Sequence, residues 1–494
     1  MRLSFLRNGL FAALAVAATL AAAGCNRKSE GVVQVLAIGN DPHFADPARN
    51  PPSASDDVLI NNAAQGLVRL DARGQIEPGL AEAWNVSDDG LSYIFRLANG
   101  NWPNGRKITA EQVARMLRRM VGSSSRDPLR DAFGAVGDVV AMTDRVIEIR
   151  LDEPRPHLLQ LLAQPEMGLV YDGQGTGPFT IDRRHSKDRL LRLTREVASP
   201  DEEATEREQL DLGGATADQA IKAFAAGDAD LVLGGTFVDL PLVQRTALPR
   251  RSLQFDPASG LFGFVPARKD GLLADPHVRQ MLSQAVDRDA LVAALNVPGL
   301  VPRATVLEPG LDNIPDPVPP DWMGTALADR RAALVAEAHR IIPAGKQPVI
   351  RIALPEGPGS QILLDRLSAD WGTLGITVER AQRDSDADLK LVDEVAPSTS
   401  AAWFLRHFRC GIVPICDVQL DEMLESARNT PVLAQRSALQ AEASKRIDSL
   451  QLFIALAAPV RWSLVSARIT GFAGNRFAIH TLTGLEQRLN RTSE

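Results

Sequence analysis

Few residues in this sequence are arranged to break bonds. The seven histidines are scattered, and no Gly-x-Ser-x-Gly elbow, His-Glu-x-x-His pair or Cys–His constellation is present. A nucleophile needs a base beside it, so no enzyme is expected. Residues placed to hold a ligand are easier to find. Asp393 and Glu394 close the apolar run at 387–392, and strand ends of α/β sheets face ligand clefts. Thr236, after Gly234-Gly235, follows the run at 231–233 in the same way. Loop capping explains the two acids equally well, and turn geometry explains the glycines. Gly175-Thr176-Gly177-Pro178 is not a phosphate loop, because no Lys-Ser or Lys-Thr pair follows and Pro178 has no N–H. Cys410 and Cys416 enclose five residues, with only His407 close by. That spacing is wide for zinc, and an oxidising compartment favours a disulfide over two buried thiols. No cofactor or metal is expected.

The elements that position these groups follow from periodicity and turn signals. A β-branched run at 32–38 reads as the first strand. Residues 66–70 and 91–97 read as strands, separated by turns at 71–74 and 87–90. Thr109 should cap a helix with Gln112 three residues on, burying Val113, Met116, Leu117 and Met120. Strands at 139–140 and 146–151 flank a hairpin. A helix is expected at 217–226 and strands near 190–193 and 231–233. Asp275 and Pro276 open a helix whose buried stripe is Val278, Met281, Leu282 and Ala285. Arg279, Asp287 and Arg288 read as structural ion pairs and caps. Beyond a proline-rich loop at 298–320, a β-α-β unit spans 349–379, and a long helix covers 433–450.

Composition narrows the class. The chain has 494 residues, 45% of them hydrophobic, enough for more than one core. Its net charge of −7 gives no basic footprint for nucleic acid. Arg2 and Arg7 precede an apolar stretch at 9–23 that is too short to span a bilayer comfortably. Ala22-Ala23-Gly24 then precedes Cys25. This resembles a bacterial lipoprotein signal, with Ala22 where most such signals carry Leu. The resemblance implies removal of residues 1–24, lipid on Cys25, and a tether at 25–31.

One long stretch resembles a known family. Gly66, Leu67, Asp71, Gly74, Ile76, Pro78, Leu80, Ala81, Trp84, Ser87, Asp89, Gly90, Tyr93, Phe95 and Leu97 fill the pattern G-L-x-x-x-D-x-x-G-x-I-x-P-x-L-A-x-x-W-x-x-S-x-D-G-x-x-Y-x-F-x-L. Gly105 and Thr109-Ala110 continue it. It is similar to the family 5 extracellular solute-binding proteins of ABC importers, the oligopeptide- and dipeptide-binding group. Gly175-Thr176-Gly177-Pro178-Phe179, the segment 275–288, and Ile469-Thr470-Gly471-Phe472 match further family segments.

The resemblance implies an α/β, two-lobed periplasmic-binding-protein-like fold (type II, cluster C) with an extra subdomain inserted in the first lobe. It places the first lobe at 32–59, 171–256 and 460–494, the insertion at 60–170, and the second lobe at 257–459. It implies reversible capture of a peptide-like or other small solute between hinged lobes, and delivery to an ABC permease in the inner membrane. The protein would be a monomer at the periplasm or cell surface, anchored by lipid. The rival reading is a receptor, sensor or chaperone-like binder of the same fold. The loop before Asp46-Pro47 lines the ligand cleft in the family, so Asn40, Asp41 and His43 become candidate ligand residues. Peptide binders of the family also carry D-x-x-D-P-x-x-F-L, whose first aspartate pairs with the peptide ammonium. Here Phe404-Leu405 fits, Ser400-Ala401 replaces Asp-Pro, and the upstream aspartate has no clear match. Trp403 lies in that segment and joins the candidate ligand residues. Without the aspartate a peptide amine loses a charge-assisted bond, so peptide specificity is not implied.

Overall fold

The structure, a computed structural model, describes residues 32–487 apart from 45, 127–128, 187–188, 199–204 and 343–346. The leader, Cys25 and the whole tether lie outside the described residues.

Two mixed sheets form the two lobes. In the first, the apolar strand Val32–Ile38 is central and runs parallel to both Thr205–Ala215 and Leu231–Thr236. The seven strands run in the order 180–181, 191–198, 205–215, 32–38, 231–236, 461–465, 253–255. The strand Thr205–Ala215 was not foreseen from its sequence, TEREQLDLGGA. Its charges are answered across the sheet: Arg192 donates to both carboxylate oxygens of Asp211, and the Gln34 amide donates to the same carboxylate. Paired this way, a charged strand is stable in a sheet interior.

In the second lobe, five strands run in the order 377–380, 349–353, 389–395, 260–266, 454–457. Gly260–Pro266 is buried along its whole length, as a strand covered on both faces should be. The chain crosses between the sheets twice, at 256–259 and 458–460. On one flank the lobes share a continuous apolar core. Phe237, Leu240 and Val243 of the first pack with Phe262, Leu282 and Leu363 of the second, and the Phe237 and Phe262 rings meet edge-on at 5.0 Å.

The insertion is a separate four-stranded antiparallel sheet, in the order 81–86, 92–97, 146–151, 136–141, with its own core. The helix Ala110–Val121 covers it with the stripe expected from its spacing. Thr109 accepts the Gln112 N–H, but the Gln112 side chain does not complete a capping box. It accepts the Trp102 indole N–H at 2.8 Å instead, satisfying a buried donor.

Two sequence readings are sharpened. Gly175 and Gly177 are packing glycines: a Cβ on either would fall within 2.6 Å of the backbone of Ala63 or Ala64. Among the described residues Arg279 and Arg288 form no ion pairs. Arg279 donates to the carbonyls of Leu273, Ala274, Leu450 and Gln451, and Arg288 to those of Ser283, Arg303 and Ala455. A guanidinium has five donors, and here each tethers chain ends that would otherwise leave carbonyls buried and bare. Asp275 and Asp287 do cap helices, accepting from His277 and Ala290. Cys410 and Cys416 are joined by a disulfide, with Cα atoms 5.0 Å apart.

Candidate ligand-binding cleft

The strand Leu389–Val395 leads through the turn 396–400 into the helix Ala401–Arg406. Ala401, Phe404 and Leu405 drive that helix into the second lobe's core. Trp403 is 5% exposed, with its ring edge-on to Phe404 at 5.0 Å and to His407 at 4.6 Å. The next turn therefore projects Arg406, His407 and Arg409 toward the insertion, where a cavity of about 470 Å³ opens. His157 and Asp312 also line it, as do Glu394 and Trp403. Its volume lies within the usual range for small-solute sites.

Hydrogen bonds close this flank. The Gln164 amide donates to the Pro397 carbonyl at 2.9 Å, and Gln160 accepts the Thr399 N–H at 2.9 Å. The Thr399 hydroxyl bonds Asp312 and lies 3.3 Å from His157 Nδ1. Arg436 reaches the Pro154 carbonyl at 3.1 Å. Burial pushes the His157 imidazole below its ordinary pKa, against the pull of Asp312. Counting back from Phe404-Leu405 places Pro397 where peptide binders carry the ammonium-binding aspartate. Its carbonyl is already occupied by Gln164.

Asp393 and Glu394, neighbours on one strand, point to opposite sides. Glu394 reaches the cavity and pairs with His407 Nε2 at 3.1 Å, while His407 Nδ1 lies 2.8 Å from the Trp403 carbonyl. The hydrogen bond from His407 holds the Glu394 carboxyl below its usual range. Asp393 turns to the crossover and binds Arg461 of the first lobe at 2.8 Å. Burial pushes the Asp393 carboxyl up, and Arg461 opposes this.

The first-lobe candidates lie outside the cavity. Asn40 is exposed, and its carbonyl abuts Gly214 closely enough to exclude any side chain there. Asp41 pairs with Arg189 at 2.6 Å. Asp56 accepts the His43 N–H at 2.8 Å and faces its ring at 2.9 Å. The Thr236 carbonyl accepts the Trp462 indole N–H at 2.7 Å, and Trp462 also covers Gly235. The cavity thus brings together Glu394 and Trp403 alone among the seven ligand candidates. It adds His157, Asp312, Arg406 and Arg409, which sequence reasoning missed. The one available signal was the spacing of Arg406 and Arg409, three apart beyond an apolar helical stripe.

Comparison with known proteins decides the family. The family model described as bacterial extracellular solute-binding proteins, family 5 Middle, matches residues 75–405. The chain belongs to this family. Probable di/tripeptide-binding protein 5 of Pseudomonas aeruginosa (strain UCBPP-PA14) is 26% identical over 86% of this chain and 89% of its own length. Probable deoxycholate-binding periplasmic protein YgiS of Escherichia coli (strain K12) is 29% identical over a shorter region, 27% of this chain and 29% of its own length. Among solved structures, Haemophilus influenzae OppA in complex with RPPGFSPFR superposes with a TM-score of 0.77 at 14% identity, covering 93% of this chain and 100% of that one. The Escherichia coli murein tripeptide binding protein MppA gives 0.77 at 18%, covering 92% and 98%. These two likenesses establish the two-lobed fold. The family 5 protein described here is an extracytoplasmic solute-binding protein, and among the described residues no helix is long and apolar enough to cross a membrane.

Proposed function

We propose that this family 5 protein captures a peptide-like or other small solute between two hinged lobes and delivers it to an ABC permease. The observation that carries this reading is the contrast between the two flanks of the lobe junction. One is a shared apolar core around Phe237 and Phe262. The other is a cavity crossed by a few hydrogen bonds from Gln160, Gln164 and Arg436. Apolar packing serves as a pivot, and polar contacts that water can replace serve as a latch. In this reading the first lobe comprises 32–59, 171–256 and 460–494, the insertion 60–170, and the second lobe 257–459. Relatives named for di- and tripeptides and for deoxycholate suit a cavity of this size. Residues 1–24 are a cleaved leader and Cys25 carries lipid, which holds the protein beside its permease.

Small-angle scattering of the mature protein, titrated with a library of small solutes, should show contraction with at least one of them. A radius that no solute changes would overturn capture by hinge closure. Cys25→Ser should move the protein from the membrane to the soluble envelope fraction. Unchanged membrane recovery would rule out the lipid anchor.

A further inference from the structure

The polar flank carries one histidine placed between its two sides. His157 stands at the start of the insertion helix Leu158–Leu162 and meets the second lobe. Its Nδ1 lies 3.3 Å from the Thr399 hydroxyl and 3.7 Å from the Asp312 carboxylate. The side chain is 16% exposed, so closing this flank takes most of the ring out of water.

The Thr399 hydroxyl has one proton to give. Asp312 is its closest acceptor, and the Gln160 carbonyl oxygen, oriented by the Thr399 N–H, stands at 3.2 Å. With that proton committed, the network assigns the imidazole proton to Nδ1, which donates to the Thr399 oxygen. A second proton, on Nε2, finds no acceptor among the described residues. The surrounding charges do little to hold a cation there. Asp312 is the one whose field acts on the ring, and it is itself 49% exposed. On the same segment Glu153 and Arg155 pair with each other at 2.8 Å. Arg436, from the helix Leu433–Ser449, is committed to the carbonyls of Pro154 and Thr430. The other ionisable groups of the cavity are Arg406, His407, Arg409 and Arg428, with Asp131, Glu394 and Glu425. Burial prevails, and lowers the imidazole pKa against the pull of Asp312.

We propose that His157 is a pH-sensitive pin in the latch: taking up a proton at mildly acid pH, it opens this flank and lets the solute go. The inference rests on hinge closure and adds its regulation. In the open form the ring is solvated and titrates as an ordinary histidine, and in the shut form it titrates lower. Closure therefore expels a proton. It is undiminished above the ordinary pKa, weakens as pH falls through it, and levels off below the lowered one.

The mature protein without solute is titrated from about pH 8 to about pH 5, with the imidazole resonances followed by NMR and the radius by small-angle scattering. His157→Asn identifies the His157 resonance by its loss. The asparagine amide can still donate to Thr399 but takes up no proton. The His157 midpoint should lie below the ordinary 6.5, and the radius should grow as pH falls. The fraction of open protein should rise at least about twofold across the titration. In His157→Asn the radius should stay flat. Asp312→Asn, which removes the one field favouring the cation, should lower the midpoint further, a response that a merely structural contact would not give. A midpoint at or above 6.5, or a radius that ignores pH in the parent or follows it equally in His157→Asn, would overturn the pin. Capture then stands if the solute library still contracts the protein. A radius that neither pH nor any solute changes would overturn hinge closure, and the pin with it.

Discussion

Arg461→Ala should destabilise the protein by about 3–5 kcal/mol, the usual consequence of removing one partner from a covered ion pair. Arg461 stands one residue past the second crossover and donates to the Asp393 carboxylate at 2.8 Å and to the Asp393 carbonyl at 3.0 Å. The side chains are 17% and 16% exposed, so water compensates little. Alanine leaves both acceptors bare at the junction of the two sheets. The pH dependence has a definite sign. Burial already raises the Asp393 carboxyl in the folded protein, and loss of Arg461 raises it further. A group whose folded pKa lies above its unfolded value contributes stability below the unfolded pKa and loses it as pH rises through the folded one. The deficit of Arg461→Ala should therefore be smallest near pH 4 and grow toward neutrality. Asp393→Asn in the same chain should recover part of it. Chemical denaturation across pH measures both effects, and a variant within about 0.5 kcal/mol of the parent at pH 7 would show that the pair is solvated in solution.

Gly359→Ala acts at the other end of the pivot. The Gly359 N–H, at the start of the second-lobe helix Pro358–Gly372, donates to the Val238 carbonyl of the first lobe at 2.8 Å. A Cβ on Gly359 would stand 1.9 Å from the Phe237 carbonyl oxygen and 3.0 Å from the Val238 Cα. Both obstacles are backbone, so no rotamer change relieves them. Forced overpacking of this kind costs about 1–3 kcal/mol, and separating the lobes at this edge is the direct relief. The variant should unfold at lower denaturant and scatter with a larger radius, and solute should contract it less completely. A variant that keeps the parent's radius and stability would mean that the lobes do not touch here in solution.

Much of the scaffold was legible because its signals are local. Alternation in Ser92–Leu97 and Val146–Leu151, the Thr109 cap, and the buried stripe of Pro276–Ala285 all appear where spacing placed them. Thr205–Ala215 was not legible, because its stability comes from Arg192 and Gln34 on neighbouring strands. The ion pairs expected of Arg279 and Arg288 failed for the same reason. Their partners are carbonyls far along the chain, such as Leu450 and Ala455. Of the seven ligand candidates, only Glu394 and Trp403 line the cavity. Successive strand residues point to opposite faces, so Asp393 and Glu394 could not share one ligand, and only Glu394 reaches the cavity. Nη1 of Arg406, buried without a hydrogen-bond partner among the described residues, left no sequence signal, since that property exists only once every neighbour is placed.

The polar flank of the lobe junction is thin. Each bond from Gln160, Gln164 and Arg436 contributes about 1 kcal/mol net once exchange with water is counted. If the lobes hinge as proposed, these are the bonds that opening exchanges for water.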